Sequence, residues 1–364
     1  MSDDNDRPDQ PEGANFPDMD GPHLPGSEEE ELSPILGQQD PGSLQRRAGS
    51  GTVQELSVEK EIDLSQKSYS QGQLIRRRFF RHKAAMGSLA LLLFVTFMAF
   101  TSIGYGPLPG WWDKEYTASA TVVDGGRSTL SFFPPSFGEY PFGQEDTGKD
   151  YFALTMRGTQ ISLFIAFTVG IVTTAIGTLI GALAGYFRGW IESVLMRLTD
   201  LFIVIPMLVL AAVLGQMSGG GIWPLTIMLA LISWTGLARL VRGEVLSLRE
   251  REFVTAAEAI GTNSGRIIFK HILPNTMGTI IVSATLTIAS VILLESALSF
   301  LGYGVQAPDT SLGLLISTYQ NSFGSRPWLF WWPGLTILAI ALSVNFLGDG
   351  LRDAFDPRQS RSAD

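Results

Sequence analysis

Long apolar segments alternate with shorter polar segments over most of the 364-residue chain. A transmembrane helix needs roughly 20 apolar residues, because each residue adds about 1.5 Å and the hydrocarbon core is about 30 Å thick. Six segments meet this requirement, and we predict one transmembrane helix in each. They cover residues 84–104, 157–186, 196–217, 222–241, 275–299 and 328–348. The pattern therefore predicts an all-α membrane protein with six transmembrane helices.

The segment before the first apolar run has a different composition. Residues 1–63 contain sixteen Asp and Glu against four Arg and Lys, whereas the whole chain has a net charge of -9. Large apolar residues stay scarce up to residue 73, so burial cannot offset the entropy lost on ordering. We predict that residues 1–73 form a disordered acidic tail, in which Glu28 to Glu31 are a solvated run.

A basic segment, LIRRRFFRHK at residues 74–83, leads into the first predicted span. Cations around two phenylalanines are typical of a helix that lies at the membrane interface. Most other Arg and Lys of the short connections fall on the same side as this segment, so the positive-inside rule predicts that both termini are cytoplasmic. The predicted organisation is a cytoplasmic tail at 1–73, an interfacial helix and first span at 74–104, an extracytoplasmic loop at 105–153, a five-span core at 154–349 and a cytoplasmic tail at 350–364.

Catalytic chemistry finds little support in the sequence. The chain has no cysteine and only three histidines, which are widely scattered. Gly143, Gly148 and Lys149 nearly match a P-loop, but Asp150 stands where the hydroxyl for magnesium belongs. We predict no catalytic, metal-binding or cofactor-binding residue, and we predict that the chain is not itself an enzyme.

The connection between the fourth and fifth predicted spans is long and patterned as a helix. From Glu244 to Ile260, helical spacing puts Phe253, Ala256, Ala257 and Ile260 on one face. Gly261 can end this helix in a left-handed conformation, and Pro274 marks the entry into the next span. Such a helix can lie along the membrane with a partner beneath it.

Within this connection Thr255-Ala256-Ala257, then Gly261, then HILP at 271–274 resemble the EAA signature of ABC importer permeases. The resemblance implies a coupling helix at about 250–262, seated in a groove of an ATPase subunit. Thr255 replaces the Glu of that signature, and His271 stands where the signature usually has Ile. The residues to which the resemblance assigns coupling are Val254, Thr255, Ala256, Ala257, Ala259, Gly261 and Pro274.

Further segments resemble the C-type subunit of the dipeptide and oligopeptide permeases, at 140–163, 185–206, 298–308 and 345–358. The resemblance implies the type I ABC importer permease fold and short peptides as the substrate. It also implies a second homologous permease, two ATPase subunits that use ATP and magnesium, and an extracytoplasmic solute-binding protein. The lipid bilayer is a further partner and nucleic acid is not. Relatives of this kind also carry nickel, glutathione or other small solutes, and the sequence leaves these alternatives open.

Small and charged residues inside the spans are the remaining candidates. Gly177, Gly181 and Gly185 recur every four residues, which favours close helix packing, with a lining of the transport path as the alternative. We expect Asp200, Arg239 and Glu295 near span ends, because charges at the bilayer centre are costly. For Glu295, a gate and a bond to neighbouring backbone are equally compatible with the sequence.

Two other classes of protein are alternatives to the importer. An intramembrane enzyme would need paired aspartates, a Ser with a His at matching depth, or an HExxH motif, and the predicted spans contain none of these. An ATP-independent secondary carrier or channel is the other alternative. Secondary carriers usually contain several buried charges, and a carrier has no need of a coupling connection.

Overall fold

Helices make up most of the computed structural model, which describes residues 71–132, 135–217 and 219–355. The helices are α1 Gln71–Arg81, α2 Lys83–Ser102, α3 Tyr151–Phe187, α4 Gly189–Val204, α5 Met207–Met217, α6 Ile222–Ser233, α7 Thr235–Arg249, α8 Glu252–Ala259, α9 Ser264–Arg266, α10 Leu273–Phe300, α11 Leu312–Tyr319 and α12 Trp328–Phe355. A π-helical turn at Ile267–Ile272 joins α9 to α10, and 3-10 turns lie at Asp124–Gly126 and Gln320–Ser322. Two antiparallel ribbons pair β1 Gly104–Tyr105 with β2 Leu108–Pro109 and β3 Ser131–Phe132 with β4 Pro135–Ser136.

The membrane-spanning helices agree with the prediction in number when one bent pair counts as one span. Five helical segments are long and apolar enough to cross a bilayer, and the pair α4 and α5 passes the same test together. The five uninterrupted segments are Lys83–Ser102, Tyr151–Phe187, Ile222–Arg249, Ser264–Phe300 and Trp328–Phe355. The all-α membrane fold predicted from the sequence is confirmed.

The third predicted span, 196–217, is not one straight helix. Helix α4 starts earlier, at Gly189, and meets α5 at an angle of 86°. Pro206 stands at the break and has no N–H to donate, and Ile205 before it is extended, with φ -80 and ψ 126. A proline both removes a helical hydrogen bond and disfavours the α conformation of the residue before it.

Other helix and loop boundaries also differ from the predicted ones. Helix α3 has 37 residues and begins at Tyr151, so the predicted outer loop 105–153 ends too late. The carboxylate of Asp150 caps this helix, with Oδ1 accepting from the Ala153 N–H at 3.0 Å. Helix α12 continues to Phe355, six residues into the predicted cytoplasmic tail 350–364.

The predicted tail 1–73 lies almost wholly outside the described residues. Helix α1 begins at Gln71, three residues before the predicted interfacial helix.

Helix α3 is the central element of the described chain. It contacts α2, α4, α6, α7, α10, α11 and α12. The largest apolar cluster lies where α3 meets α6, α10 and α12, and its fully buried members include Ile165, Leu229, Ile292 and Ile340. Burial of these side chains is worth roughly 1.5–3 kcal/mol each relative to water, but the bilayer supplies an apolar surrounding in any case. Close packing rather than burial from water therefore fixes the arrangement.

The outer segment between α2 and α3 is held by buried hydrogen bonds. The Gln144 side chain is fully buried, donates from Nε2 to the carbonyl oxygens of Thr121 at 3.2 Å and Gly148 at 3.0 Å, and accepts from the Val123 N–H at 2.8 Å. Phe142 stacks on Trp332 of α12, with ring centroids 3.9 Å apart. The hydrogen bonds hold the segment together, and the ring contact attaches it to α12.

Candidate coupling site and buried charges

The connection between α7 and α10 contains a short separate helix, α8. The sequence predicts one helix from Glu244 to Ile260, but α7 ends at Arg249 and α8 begins at Glu252. Arg251 is extended, with φ -79 and ψ 147, and it is the N-cap residue of α8. The continuous helix was therefore wrong, whereas the predicted bounds of about 250–262 contain α8.

Helix α8 has one buried side and one exposed side. Val254 is fully buried and Ala257 is 6% exposed, and both join the apolar cluster formed with Ile267, Ile268 and Ile272. The prediction that Ala257 shares a face with Phe253 and Ile260 was wrong, because packing on the π-helical turn draws Ala257 inward. The exposed residues of the helix and its C-cap include Phe253, Thr255, Ala256, Ala259 and Ile260.

The exposed side of α8 carries large apolar side chains. Phe253 is 42% exposed and Ile260 is 83% exposed, seven positions apart and therefore near the same side of the helix. Ala256 lies between them and is also exposed. We call Phe253, Ala256, Ala259 and Ile260 the coupling face. Contiguous exposed apolar surface of this kind is typical of a contact with a partner.

The end of α8 has the geometry that the sequence predicts for Gly261. Its φ is +78°, in the left-handed region that favours glycine. The N–H of Thr262 donates to the Ala257 carbonyl at 3.0 Å, which closes the helix as a Schellman motif does. Among the described residues, no atom beyond its chain neighbours lies within 4 Å of a Cβ placed there, so glycine is required for its conformation and not for lack of space.

Polar contacts tie α8 to the membrane helices. Tyr186 at the end of α3 donates its hydroxyl to Glu258 Oε1 at 3.1 Å. Arg249 packs on the Tyr186 ring at 5.4 Å and donates to the Tyr186 carbonyl. Arg188 pairs with Glu250 at the turn before α8. Displacement of α8 would therefore move the ends of α3 and α7.

Pro274 lies in the first turn of α10, as the sequence predicts for the entry into the fifth span, but helical backbone already precedes it. The helical segment runs from Ser264 through Pro274 to Phe300, with a π-helical turn at Ile267–Ile272 directly before the proline. The Leu273 N–H donates to the Ile268 carbonyl, five residues back. A proline clashes with the carbonyl four residues before it, and the wider π turn accommodates that ring. A non-helical turn at 260–263 separates α8 from the continuous helical segment, which starts at Ser264.

The three glycines of α3 pack against α7. A Cβ at Gly177 would lie 2.9 Å from the Trp234 carbonyl oxygen, at Gly181 2.5 Å from the Ala238 carbonyl oxygen, and at Gly185 2.8 Å from Val245 Cβ. This spacing agrees with the packing interpretation, because the backbones meet where any side chain would intrude.

Two ion pairs join α4 to α7. Arg239 donates to Asp200 Oδ1 at 2.5 Å, and Arg242 donates from Nε to Glu192 Oε1 at 2.8 Å. Together with Arg197 they line a polar cavity of about 740 Å³. Asp200 lies four residues before the end of α4, and Arg239 is the fifth residue of α7. Both charges therefore lie inside candidate spans, near the break in each, whereas the sequence predicts positions near span ends.

Glu295 is fully buried and bonded to serine hydroxyls. Its carboxylate accepts from Ser162 Oγ at 3.1 Å and from Ser299 Oγ at 2.8 Å. Ser311 Oγ lies 3.2 Å from Ser299 Oγ, and the Leu312 N–H donates to Ser162 Oγ at 3.2 Å. The neighbouring-backbone interpretation was therefore wrong, because the partners are side chains of α3 and α10. The network fixes the start of α11 to both spans.

The acidic contacts of the outer segment were not predicted from the sequence. Glu145 accepts from Tyr319 of α11 at 3.2 Å and from Thr147. Burial acts to raise the pKa of Glu145, but hydrogen bonds from Thr147, Lys149 and Tyr319 outweigh it, so the pKa lies below the ordinary value. Burial raises the pKa of Asp150, which accepts from Trp112 Nε1 at 3.1 Å. The P-loop-like stretch thus serves to cap α3 and to contact α11.

Metal binding is not supported by the part of the chain that the structure describes, since no three His, Asp or Glu side chains there form a group that could hold an ion.

Comparison with known proteins identifies the chain's relatives. A family model described as "Binding-protein-dependent transport system inner membrane component" matches residues 177–361. A second, described as "N-terminal TM domain of oligopeptide transport permease C", matches residues 70–113.

Two curated relatives and one solved structure illustrate the similarity. The oligopeptide transport system permease protein OppC of Mycobacterium tuberculosis is 39% identical over 293 residues, which are 79% of this chain and 95% of that protein. The protein of the same name in Haemophilus influenzae is 36% identical over 283 residues, 78% of this chain and 87% of that protein. A chain of the MetNI methionine ABC transporter in inward-facing conformations has a TM-score of 0.47 and 19% identity, over 56% of this chain and 97% of that one.

The family model covers half of the chain, and the two relatives each match more than three quarters of it. A permease subunit of this family spans the membrane and leaves ATP hydrolysis to other subunits, which agrees with the absence of catalytic motifs in the sequence. The chain belongs to the family of inner membrane components of binding-protein-dependent transport systems, the non-catalytic permease subunits of ABC importers.

Proposed function

We propose that this chain and a second homologous permease together form the transmembrane pathway of an importer for di- and oligopeptides. Two separate ATPase subunits drive the importer with ATP and magnesium, and an extracytoplasmic solute-binding protein supplies the substrate. The observation that carries this proposal is the coupling face of α8, an exposed apolar surface on a helix that is otherwise built into the membrane domain. The oligopeptide permeases among the relatives support peptides as the substrate class.

The contacts of α8 explain how a force applied to it would reach the membrane. Val254 and Ala257 pack on the π-helical turn, and that turn continues directly into α10. Helix α7 leads into α8 and packs tightly on the glycines of α3. An ATPase subunit that moved the coupling face would therefore tilt α10 and α7 together. Val254, Thr255, Ala256, Ala257, Ala259, Gly261 and Pro274 are the residues to which we assign this coupling.

The proposed orientation places α8 and both ends of the described chain in the cytoplasm. Near the start of α2, His82 Nε2 lies 3.4 Å from Asp353 Oδ2 of α12. Phe355 at the end of α12 packs against Gly278 near the start of α10. These contacts support a common side for α1, α8 and the end of α12, and that side carries most of the basic residues. The outer segments, with Lys114 and Arg127, face the other side.

A gate at Glu295 is the finer part of the proposal. The network of Glu295 with Ser162 and Ser299 holds α11 against α3 and α10, at the end of the spans opposite to α8. Release of α11 would open this end without disturbing the coupling face. The α3 glycines, in contrast, have the contacts of a packing seam, and we assign them no role in lining the path.

ATP-driven uptake in proteoliposomes tests the proposal. The complete transporter is co-purified from its native membrane, reconstituted, and supplied with a labelled tripeptide, nickel or glutathione in parallel. We expect uptake of the peptide that requires ATP and disappears when the catalytic glutamate of the partner ATPase is replaced by Gln. Uptake that persists after this replacement would show a secondary carrier or a channel. ATP-dependent uptake of nickel or glutathione alone would refute the peptide assignment and retain the importer.

A further inference from the structure

The cavity between α4 and α7 has no role in the coupling described above. Its volume is about 740 Å³, within the range of roughly 300–1,000 Å³ that is usual for small-molecule sites. Five of its seven lining side chains are charged, and these are Glu192, Arg197, Asp200, Arg239 and Arg242. This density of charge favours a polar ligand over an apolar one.

The charged side chains lie within two candidate spans and not beyond their ends. Arg242 and Arg239 are seven and ten residues before Arg249, the last residue of α7, which is about 10–15 Å along the helix axis. A charge at such a position is costly unless it is paired or in contact with water. The cavity therefore faces an aqueous space or a partner subunit rather than lipid.

Helix α4 keeps its apolar and polar side chains on different sides. Four exposed apolar residues recur at intervals of four, four and three, which places them on one side of the helix. They are Trp190, Val194, Leu198 and Leu201. Ser193, Arg197 and Asp200 have similar spacing but are offset by one residue, or about 100° around the axis. One side of α4 can thus meet lipid while the other side lines the cavity.

One arginine of the cavity has a charge that no acid in it offsets. Arg239 pairs with Asp200, and Arg242 pairs with Glu192. Arg197 is exposed and forms no ion pair or hydrogen bond with any residue that the structure describes. Three cations and two anions therefore leave one positive charge, at Arg197. All five N–H donors of its guanidinium are open to an anionic ligand.

The terminal carboxylate of a peptide is the anion that fits this charge and the proposed substrate. A guanidinium binds a carboxylate through two parallel N–H donors. Linear peptides carry this group whatever their side chains, so a site for it accepts peptides of different sequence. A phospholipid phosphate has suitable charge too, but its acyl chains would follow the apolar side of α4, which points away from the cavity.

We propose that Arg197 binds the C-terminal carboxylate of a transported peptide in the cavity between α4 and α7. This inference rests on the proposed function, because it takes peptides as the substrate class. The ion pairs occupy Arg239 and Arg242, so the carboxylate meets one free guanidinium and not three. A single charge pair is weak enough to release the substrate, as transport requires.

Thiol protection tests this site on the complete transporter in detergent. The chain has no cysteine, so Ser193→Cys introduces its only thiol, one helical turn before Arg197. An anionic and a neutral methanethiosulfonate reagent label this thiol, and mass spectrometry of the chain follows the rate. Because the cation lies about 6 Å away, Arg197→Gln in this background should slow the anionic reagent about 3-fold and leave the neutral reagent unchanged.

Peptide protection of the same thiol tests the ligand. A tripeptide with a free carboxylate should protect it, and the same tripeptide with a C-terminal amide should protect it much less. In Arg197→Gln the half-protecting concentration of the free acid should rise about 10-fold to 100-fold, because a charge-assisted pair is lost. Arg197→Lys should retain part of the protection. Lys270→Gln removes an exposed cation outside the cavity and should leave the protection unchanged.

Three results would overturn the proposal. They are equal protection by the free acid and the amide, a thiol that neither reagent reaches, and stronger protection by dihexanoyl phosphatidylglycerol than by the peptide. Each of these leaves the proposed function standing if ATP-driven peptide uptake is retained. Absence of peptide uptake by the wild-type transporter would instead refute the proposed function, and the carboxylate assignment with it.

Discussion

Replacement of Gly181 by Ala tests the tight contact between α3 and α7. The new Cβ would lie 2.5 Å from the Ala238 carbonyl oxygen and 2.8 Å from Val241 Cβ, whereas ordinary contacts begin at about 3.4 Å. The two helices would have to separate by roughly 0.9 Å at this point, because the obstructing atom is backbone and cannot rotate away. Overpacking of this size costs about 1–3 kcal/mol.

The propensity of alanine for helix acts in the opposite direction. Alanine is better than glycine within a helix by about 1 kcal/mol, so the net destabilisation at Gly181 is about 0–2 kcal/mol. Gly243 on α7 supplies the matched control, since in the described part of the chain no atom beyond the adjacent helical backbone lies within 4 Å of a Cβ placed there. Gly243→Ala should stabilise the helix by up to about 1 kcal/mol. The difference between the two variants, about 1–3 kcal/mol, isolates the packing cost from propensity.

Thermal unfolding of the purified transporter, followed by tryptophan fluorescence, measures this difference. Gly181→Ala should unfold at a lower temperature than Gly243→Ala, and it should also reduce peptide uptake per ATP hydrolysed, because α7 leads directly to α8. Equal unfolding temperatures for the two variants would refute the close contact at Gly181. If Gly181→Ala lowers the unfolding temperature but does not change the ratio of uptake to ATP hydrolysis, the close contact is supported and its role in coupling is refuted.

The other predictions concern single residues of the coupling site and the outer network. Glu295→Ala should destabilise the protein by about 2–5 kcal/mol in thermal unfolding, since two buried serine hydroxyls lose their acceptor, and Glu295→Gln should retain most of the stability. Ile260→Asp should abolish co-purification of the ATPase subunits and leave the unfolding temperature unchanged, because Ile260 is 83% exposed in the chain. Gly261→Ala should weaken the α8 end by about 1–2 kcal/mol, because φ is +78° there, and hydrogen exchange of α8 amides should rise. The pKa of Glu145 is lowered in the folded state, so its stabilising contribution is present above the ordinary carboxyl pKa and is lost as the pH falls through the lowered value. Glu145→Gln should therefore make the stability of the protein depend less on pH in the acid range. Unfolding measured at a series of pH values tests this.

The span pattern was predictable because the bilayer imposes one length and one polarity on every crossing segment. The break at Pro206 was not predicted, although the proline is visible in the sequence. Apolarity continues unbroken through Ile205 and Pro206, so the hydrophobic pattern alone does not reveal the 86° bend. The bend follows from the backbone: Pro206 has no N–H to donate, and it disfavours the α conformation at Ile205.

The coupling site was predictable in position but not in orientation. Helical spacing gave the right segment and the left-handed Gly261, but it placed Ala257 on the exposed side. The buried side is decided by contact with Ile267 and Ile272, and no periodicity within α8 encodes that contact. The extended Arg251, which separates α7 from α8, likewise has no strong local signal, because Arg is a good helix former.

The partners of Glu295 were beyond sequence analysis. Ser162 lies 133 positions away along the chain, and it reaches the carboxylate only because α3 packs against α10. A single sequence contains no signal that pairs these residues. The same is true of Glu145 and Tyr319, which are 174 positions apart. Burial of a charge was predictable as a cost, but the hydroxyls that offset it were not.

Cross-linking from the coupling face can show whether α8 contacts an ATPase subunit in the membrane. The chain has no cysteine, so Ile260→Cys introduces a unique thiol, and Tyr105→Cys on the outer side gives an exposed control. Both variants are labelled with a short thiol-reactive photo-cross-linker in native membranes, irradiated and analysed by mass spectrometry. This contact predicts that the thiol at 260 joins a P-loop ATPase subunit and that the thiol at 105 does not. Failure of the thiol at 260 to join any ATPase, in membranes where the transporter takes up its substrate, would contradict it.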